Sequence, residues 1–114
     1  MKEIALKTIK HYGVKHQQRK FQEEVFELNE AIFKYENTYY EPYTDYSMEE
    51  RDVSEEEQKE YLKEHITEEI GDVMFMLKQF QVYYEITDED IEKVMIFKGK
   101  RQLKRMEEEN ERIN

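Results

Sequence analysis

Apolar residues recur at intervals of three and four positions along most of this chain, and they never alternate over a sustained run. That spacing predicts amphipathic α-helices and no β-sheet. In order, we expect a short helix from Lys2 to about His11 that ends at Gly13, a long helix from about Lys15 to Glu36, a second long helix from about His65 to Tyr84, and a last helix from Asp88 to about Glu109.

Each of the two long helices carries an apolar stripe, which in the first spans roughly 80° at about 100° per residue. Acidic residues stand three apart beside each stripe, with Glu24 and Glu69 at its edge and Glu27 and Asp72 one step further out. We expect the stripes to pack against each other and the four acids to converge at the rim of that contact. The stripes consist of Phe21, Val25, Leu28, Ile32 and Tyr35 in the first helix and of Ile66, Ile70, Val73, Leu77 and Phe80 in the second.

An insertion at about 37–63 separates the two long helices and has a different character. Four tyrosines crowd around Pro42 among turn-forming residues, which predicts a loop. Two capping boxes then predict one helix near Met48 and another, or its continuation, near Glu55, whose charged start we interpret as a mobile arm or connector. The tyrosines are Tyr39, Tyr40, Tyr43 and Tyr46, and the boxes are Ser47-x-x-Glu50 and Ser54-x-x-Glu57.

The shorter helices carry weaker patterns. In the first, Ile4, Ala5 and Ile9 are expected to face the interior. Thr87 followed by Asp90 resembles a capping box that opens the last helix. Ile91, Val94, Met95, Leu103 and Met106 give that helix an apolar side, and we expect the methionines Met74, Met76, Met95 and Met106 to fill the core.

Composition supports a single all-α domain that spans residues 1–114. Only three Gly and one Pro interrupt the chain, and its length suits one modest core. We therefore expect a bundle of four to five helices. A net charge of −10 disfavours nucleic acid and anionic membranes as partners. The chain has no Cys, no apolar run near the length of a membrane span and no signal-peptide core, so a cytoplasmic protein is expected.

The four acids Glu24, Glu27, Glu69 and Asp72 form a candidate metal site. Carboxylates that are close together and partly desolvated do not all stay ionised unless a cation compensates them. Because carboxylate oxygens are hard ligands, Mg²⁺, or alternatively Mn²⁺, is favoured over zinc. The competing interpretation is an ordinary solvated helix face, which is a strong alternative for any single acidic pair in a chain with 28 acids.

At these residues the chain resembles the MazG-type all-α nucleoside triphosphate pyrophosphohydrolases, whose signature is EExxE followed by ExxD. Glu23-Glu24-x-x-Glu27 matches the first motif and Glu69-x-x-Asp72 the second, with Glu68 as the doubled acid. Flanking residues agree as well. These are Tyr12-Gly13, Gln17 or Gln18, Leu28, Ala31-Ile32 and Gly71-Asp72-Val73. The chain departs from the family in its insertion and at Ile96, where the family carries Asn before a basic motif.

The resemblance implies Mg²⁺-dependent cleavage of an NTP or dNTP to the monophosphate and pyrophosphate. The four acids would act through the metal, with the general base unassigned and with Glu23 and Glu68 behind the ligands. Lys98 and Arg101, one helical turn apart, would meet the phosphates, unless those charges only balance an acidic surface. A homodimer or homotetramer is also implied. The alternative is a non-catalytic nucleotide-binding protein or a structural helical oligomer with a degenerate site.

Overall fold

A computed structural model describes residues 1–37 and 54–113, which form four helices and contain no strand. The all-α prediction is therefore confirmed for these residues. The tyrosine-rich loop and the capping box that begins at Ser47 lie outside the described residues. The helices are α1, Lys2–Tyr12; α2, Val14–Glu36; α3, Glu55–Tyr83; and α4, Asp88–Ile113.

Gly13 separates α1 from α2. Its φ of 90° and ψ of 149° lie in a region that only glycine occupies at low cost, and its amide donates to the Ile9 carbonyl at 2.8 Å. The chain therefore changes direction within one residue, and α1 packs back beside α2 and α3.

The second acidic helix begins ten residues earlier than predicted, at Glu55 instead of about His65. Ser54 caps it by accepting a hydrogen bond from the Glu57 amide at 3.2 Å, as the second capping box predicts. Three glutamates in the first turn also stabilise the helix, because their negative charges lie near the positive end of its dipole. Since no Gly or Pro interrupts the charged run after Ser54, that run is the first part of α3 and not a separate arm.

A short junction, residues 84–87, sets the direction of α4. Glu85 takes a positive φ of 57°, and the Thr87 hydroxyl accepts from the Asp90 amide at 3.1 Å, as its capping pattern predicts. The Asp88 carboxylate accepts hydrogen bonds from Gln81 Nε2 at 2.6 Å and Lys78 Nζ at 2.9 Å. These bonds lower the Asp88 pKa and fix the first turn of α4 against α3.

Beyond that junction, α4 stands apart from the other helices. Among the described residues, no Cα atom of α4 comes within 8 Å of a Cα atom in another helix, and every side chain from Tyr83 to Arg112 is exposed. The radius of gyration is 19.3 Å, compared with about 13 Å for a compact domain of this length. The described residues thus form a three-helix body with a projecting helix.

The body has a small apolar core in which α2 runs antiparallel to α3. Of the expected core methionines only Met76 is buried; Met74, Met95 and Met106 are exposed, so that prediction is wrong for these three. Ile4 is also exposed, contrary to expectation, because α1 turns only Ala5 and Ile9 inward. The buried apolar residues are Ala5, Ile9, Ala31, Met76 and Val82. Within the ranges described, no helix combines the length and apolar character that crossing a bilayer requires.

Candidate metal centre

Three of the four predicted metal ligands come together where α2 crosses α3. Glu24 lies on α2, and Glu69 and Asp72 lie one turn apart on α3. One carboxylate oxygen from each residue lies within 4.8 Å of the others. The three-residue spacing of the second motif places both of its acids toward the same partner, as the sequence predicts.

The burial pattern of the two long helices differs in part from the predicted one, since six of the ten stripe residues are half-buried and four are exposed. Val25, Ile32, Ile70 and Leu77 belong to the expected buried stripes but are 42–50 % exposed. Glu24 and Glu69 were expected at the rim, yet they are only 7 % and 8 % exposed. The buried positions of α2 are Gln17, Glu24 and Ala31, which repeat every seven residues. The contact therefore contains a buried polar line beside the half-buried part of the two stripes, where Phe21 meets Phe80 edge to face.

Each buried glutamate has one oxygen near a basic side chain of its own helix. Lys20 Nζ lies 3.3 Å from Glu24 Oε1, and His65 Nε2 lies 3.9 Å from Glu69 Oε1, which is an ion pair when the imidazole is protonated. The other oxygens, Glu24 Oε2 and Glu69 Oε2, are buried and have no hydrogen-bond partner among the described residues. A buried carboxylate oxygen without a donor carries a desolvation cost, so these two atoms are unusual.

The Glu24 carboxyl responds to this environment. Burial raises its pKa, the hydrogen bond from Lys20 opposes that shift, and the negative charges of Glu27 and Asp72 add to it. The same contact with Glu24 raises the pKa of the Lys20 ammonium group. Ionisation of Glu24 is therefore less favourable here than in water, and a bound cation would offset that cost.

The remaining predicted acids lie outside the three-residue cluster. Glu27 is exposed and acts on Glu24 through its charge. Glu23 and Glu68 are also exposed, and each shares a basic neighbour with the buried glutamate next to it: Lys20 lies 3.8 Å from Glu23, and His65 lies 4.0 Å from Glu68. Both doubled acids therefore face solvent next to a cluster glutamate, and their predicted role behind the ligands stays a prediction.

Lys98 and Arg101 are not brought to the acids within one chain. Both lie on α4, and no described residue of α4 lines the cavity next to the cluster. Arg101 instead stacks over the ring of Phe97, one turn earlier on its own helix, at 5.8 Å from the ring centroid. Their predicted contact with phosphate stays a prediction.

A cavity of about 610 Å³ opens beside the cluster. Glu24 and Asp72 form one part of its wall, and the basic side chains of Arg19 and Lys20 form another. The rings of Tyr12 and His16, which also line the cavity, stack with centroids 5.2 Å apart. The cavity therefore joins carboxylates, cationic groups and aromatic rings.

Two buried glutamines close the inner wall of this cavity. Gln17 Nε2 donates to Gln79 Oε1 at 2.8 Å, and Gln17 Oε1 lies 2.7 Å from His16 Nδ1, which donates in the matching tautomer. Gln79 is fully buried and its amide also approaches the Met76 sulfur at 3.5 Å. This hydrogen-bonded pair fixes α2 against α3 about two to three turns away from the acids.

The donor set fits a hard divalent cation. Three carboxylates supply only oxygen ligands, which Mg²⁺ and Mn²⁺ prefer, and no thiolate is present in the chain. The two unpartnered buried oxygens are the observation that separates this cluster from an ordinary acidic surface, because exposed carboxylates are satisfied by water.

Comparison with protein-family models, with curated proteins and with solved structures gave no match to this chain.

Sequence reasoning missed the residues that surround the acids. Lys20 precedes Glu24 by four positions and His65 precedes Glu69 by four, a spacing that places side chains together on a helix and was visible in the sequence. No local signal distinguishes Gln79 from other polar residues, since its role depends on its contact with Gln17 on another helix.

Proposed function

We propose that this chain is a nucleoside triphosphate pyrophosphohydrolase that depends on Mg²⁺ or Mn²⁺ and releases pyrophosphate and a nucleoside monophosphate. The observation that carries the proposal is the pair of buried oxygens, Glu24 Oε2 and Glu69 Oε2, which lack partners and lie beside Asp72. The resemblance of the two acidic motifs to the MazG-type enzymes supplies the reaction class.

A divalent cation at this position supplies positive charge against a polyphosphate and lowers the pKa of a coordinated water. Glu24, Glu69 and Asp72 would bind the cation. Lys20 and His65, which each lie next to one of the two glutamates, would orient those side chains. Asp72 is exposed on the cavity side, so it is the cluster member most accessible to substrate.

The cavity provides the features that a nucleotide requires. Its volume is in the range of small-molecule sites. Arg19 offers a cationic group for phosphate oxygens, and the stacked rings of Tyr12 and His16 offer an aromatic surface for a base. In a chain of net charge −10, an anionic substrate needs this local reversal of the field.

The test is pyrophosphate release from a panel of NTPs and dNTPs with MgCl₂ or MnCl₂. Glu69→Gln is compared with Glu68→Gln, which removes the same charge one residue away from a side chain that is 76 % exposed, against 11 % for Glu69. We expect turnover by wild type and Glu68→Gln and a loss of at least about 100-fold in Glu69→Gln. Absence of metal-dependent turnover on every nucleotide, or equal rates in both variants, would refute the proposal.

A non-catalytic nucleotide-binding or structural role is the second candidate. It is favoured by the position of Lys98 and Arg101 on a helix that approaches none of the others, which leaves the acids of one chain without these phosphate contacts. Titration calorimetry separates the possibilities. A binder gives heat when nucleotide is added in the presence of Mg²⁺ but releases no pyrophosphate, and a purely structural bundle gives neither.

A further inference from the structure

Two buried amides fix the direction of hydrogen bonding behind His16. The thioether sulfur of Met76 can only accept a hydrogen bond, and Gln79 Nε2 donates to it at 3.5 Å. Gln79 Oε1 therefore faces Gln17 and accepts from its Nε2 at 2.8 Å. That contact leaves Gln17 Oε1 for the imidazole, 2.7 Å from His16 Nδ1. Because an amide oxygen only accepts, His16 Nδ1 carries the proton in this arrangement.

The tautomer of His16 determines what its other ring nitrogen offers to the cavity. A neutral imidazole carries one proton, so Nε2 has a free lone pair when Nδ1 is protonated. Gln17 is 4 % exposed and Gln79 is fully buried, so water does not compete for the amides that hold this arrangement. Among the described residues, none forms a hydrogen bond with His16 Nε2. The ring therefore presents a hydrogen-bond acceptor to a ligand in the cavity that it lines.

The position of His16 places this acceptor at the base end of a bound nucleotide. His16 lies in the first turn of α2 with the Tyr12 ring stacked on it, and Arg19 follows about one turn later. Glu24 of the metal centre lies about 12 Å further along the helix axis than His16, at about 1.5 Å per residue. A base next to the two rings therefore leaves room for the sugar before the phosphates reach the cation.

An acceptor beside aromatic rings distinguishes bases by the groups on their edges. Cytosine and adenine carry an exocyclic amino group where uracil and hypoxanthine carry a carbonyl oxygen. An amino group donates to a lone pair, whereas a carbonyl oxygen placed against Nε2 brings two acceptors together with no hydrogen between them. The ring N–H of uracil or hypoxanthine lies next to that oxygen, so it reaches the lone pair only against the same repulsion.

We infer that His16 Nε2 accepts a hydrogen bond from the base, and that this chain selects nucleotides whose base carries an exocyclic amino group, as in cytosine and adenine. Gln17 and Gln79 are positioning residues, since they act on the base through the tautomer of His16. The inference rests on the proposed nucleotide substrate and adds the part of that substrate which the cavity selects.

The tautomer is measured in the full chain by long-range ¹H–¹⁵N correlation spectra at about pH 8, where imidazole groups are ordinarily neutral. His16→Phe identifies the signals of this ring. We expect a protonated Nδ1 and an unprotonated Nε2 in the wild type. Gln79→Leu removes the amide that orients Gln17, so it should give a mixture of both tautomers. A wild-type ring protonated at Nε2 would overturn the inference, because the cavity would then offer a donor.

Matched substrates test the selection itself. CTP is compared with UTP, and ATP with ITP, because the members of each pair differ only in the amino or carbonyl group and the proton on the adjacent ring nitrogen. In the presence of Mg²⁺ we expect kcat/KM to be about 5- to 10-fold higher for CTP and ATP than for their partners, the effect of one hydrogen bond.

Two histidine variants show whether His16 is responsible for the preference. His16→Phe keeps an aromatic ring beside Tyr12 but has no acceptor, so the preference should fall to about 2-fold or less. His11→Phe is the matched control. His11 also contacts Tyr12, at 4.7 Å between ring centroids, but it is not among the described residues that line the cavity, so this variant should keep the wild-type preference.

Equal rates within both substrate pairs, or a preference that His16→Phe leaves unchanged, would overturn the inference. If no nucleotide is turned over, the proposed activity fails by itself, and titration calorimetry of the same four nucleotides with Mg²⁺ decides the inference. Tighter binding of CTP and ATP that His16→Phe abolishes would support it. Equal binding within each pair, or no binding, would overturn it.

Discussion

Glu69→Gln should stabilise the protein when no divalent cation is present. The Oε2 atom of Glu69 is buried without a hydrogen-bond partner among the described residues. Glu24 and Asp72 each place a carboxylate oxygen within 4.8 Å of a carboxylate oxygen of Glu69. A buried polar group without a partner costs about 1–3 kcal/mol, and more when it is charged. The neutral amide keeps the shape of the side chain but removes the charge, so we expect the free energy of unfolding to rise by about 1–3 kcal/mol.

Thermal unfolding followed by circular dichroism in EDTA measures this gain at fixed protein concentration. For a chain of this length about 1 kcal/mol corresponds to about 4 °C, which predicts a rise in Tm of about 4–12 °C for Glu69→Gln. Glu68→Gln is the control. Its side chain is 76 % exposed, so its Tm should change by no more than about 2 °C.

Added Mg²⁺ should make the wild type more stable than Glu69→Gln. A cation at 100 times its dissociation constant stabilises the wild type by about 2.7 kcal/mol, whereas Glu69→Gln lacks one ligand and should gain little. If Glu69→Gln is less stable than wild type in EDTA, or gains as much from Mg²⁺, then Glu69 serves the fold and the cluster is not a metal site. The contact with His65, at 3.9 Å, would then be its main role.

Three further predictions address the surroundings of the cluster. Burial raises the pKa of Glu24 above 4.5, so its carboxyl stabilises the metal-free fold below that pH, and this contribution is lost as pH rises through the folded-state pKa. In EDTA the Tm of the wild type should therefore fall between pH 4 and pH 7. Glu24→Gln should make that fall smaller. Gln79→Leu leaves the Gln17 amide buried without its acceptor and should cost about 1–3 kcal/mol in urea unfolding, most of it recovered when Gln17 is also replaced by Leu. Gly13→Ala should cost about 1–3 kcal/mol through its φ of 90°, while Gly71→Ala, inside α3 with open space at its Cβ, should stabilise by about 0.5–1 kcal/mol.

The helices could be predicted from the sequence because their boundaries depend on neighbouring residues. Gly13, Ser54 and Thr87 end or cap helices through contacts within four positions, and each does so in the structure. The boundary predicted near His65 was wrong for the same reason: it was inferred from where the apolar pattern starts, although α3 is capped at Ser54. Caps define a helix start more reliably than apolar content does.

The acidic cluster could be predicted in part. Spacing placed Glu69 and Asp72 on one side of α3, and the first motif, on α2, supplied Glu24. Spacing did not reveal which side of each helix faces the other, because that depends on how α1 and the Gln17–Gln79 pair dock α2 against α3. Glu27 was therefore assigned to the cluster, while the structure leaves it exposed beside Glu24.

The partly polar contact between α2 and α3 gives a physical reason for the metal centre. An isolated helix pair gains most by burying its apolar stripes, since each Val, Leu or Ile side chain taken from water contributes about 1.5–3 kcal/mol. Here the contact instead contains Glu24 and Glu69, while Val25, Ile32, Ile70 and Leu77 stay half exposed. Burying the two glutamates is unfavourable in the absence of a ligand. A cation that neutralises the carboxylates inside the contact would offset that cost, which is why the stability of the metal-free protein is the sharpest test of the site.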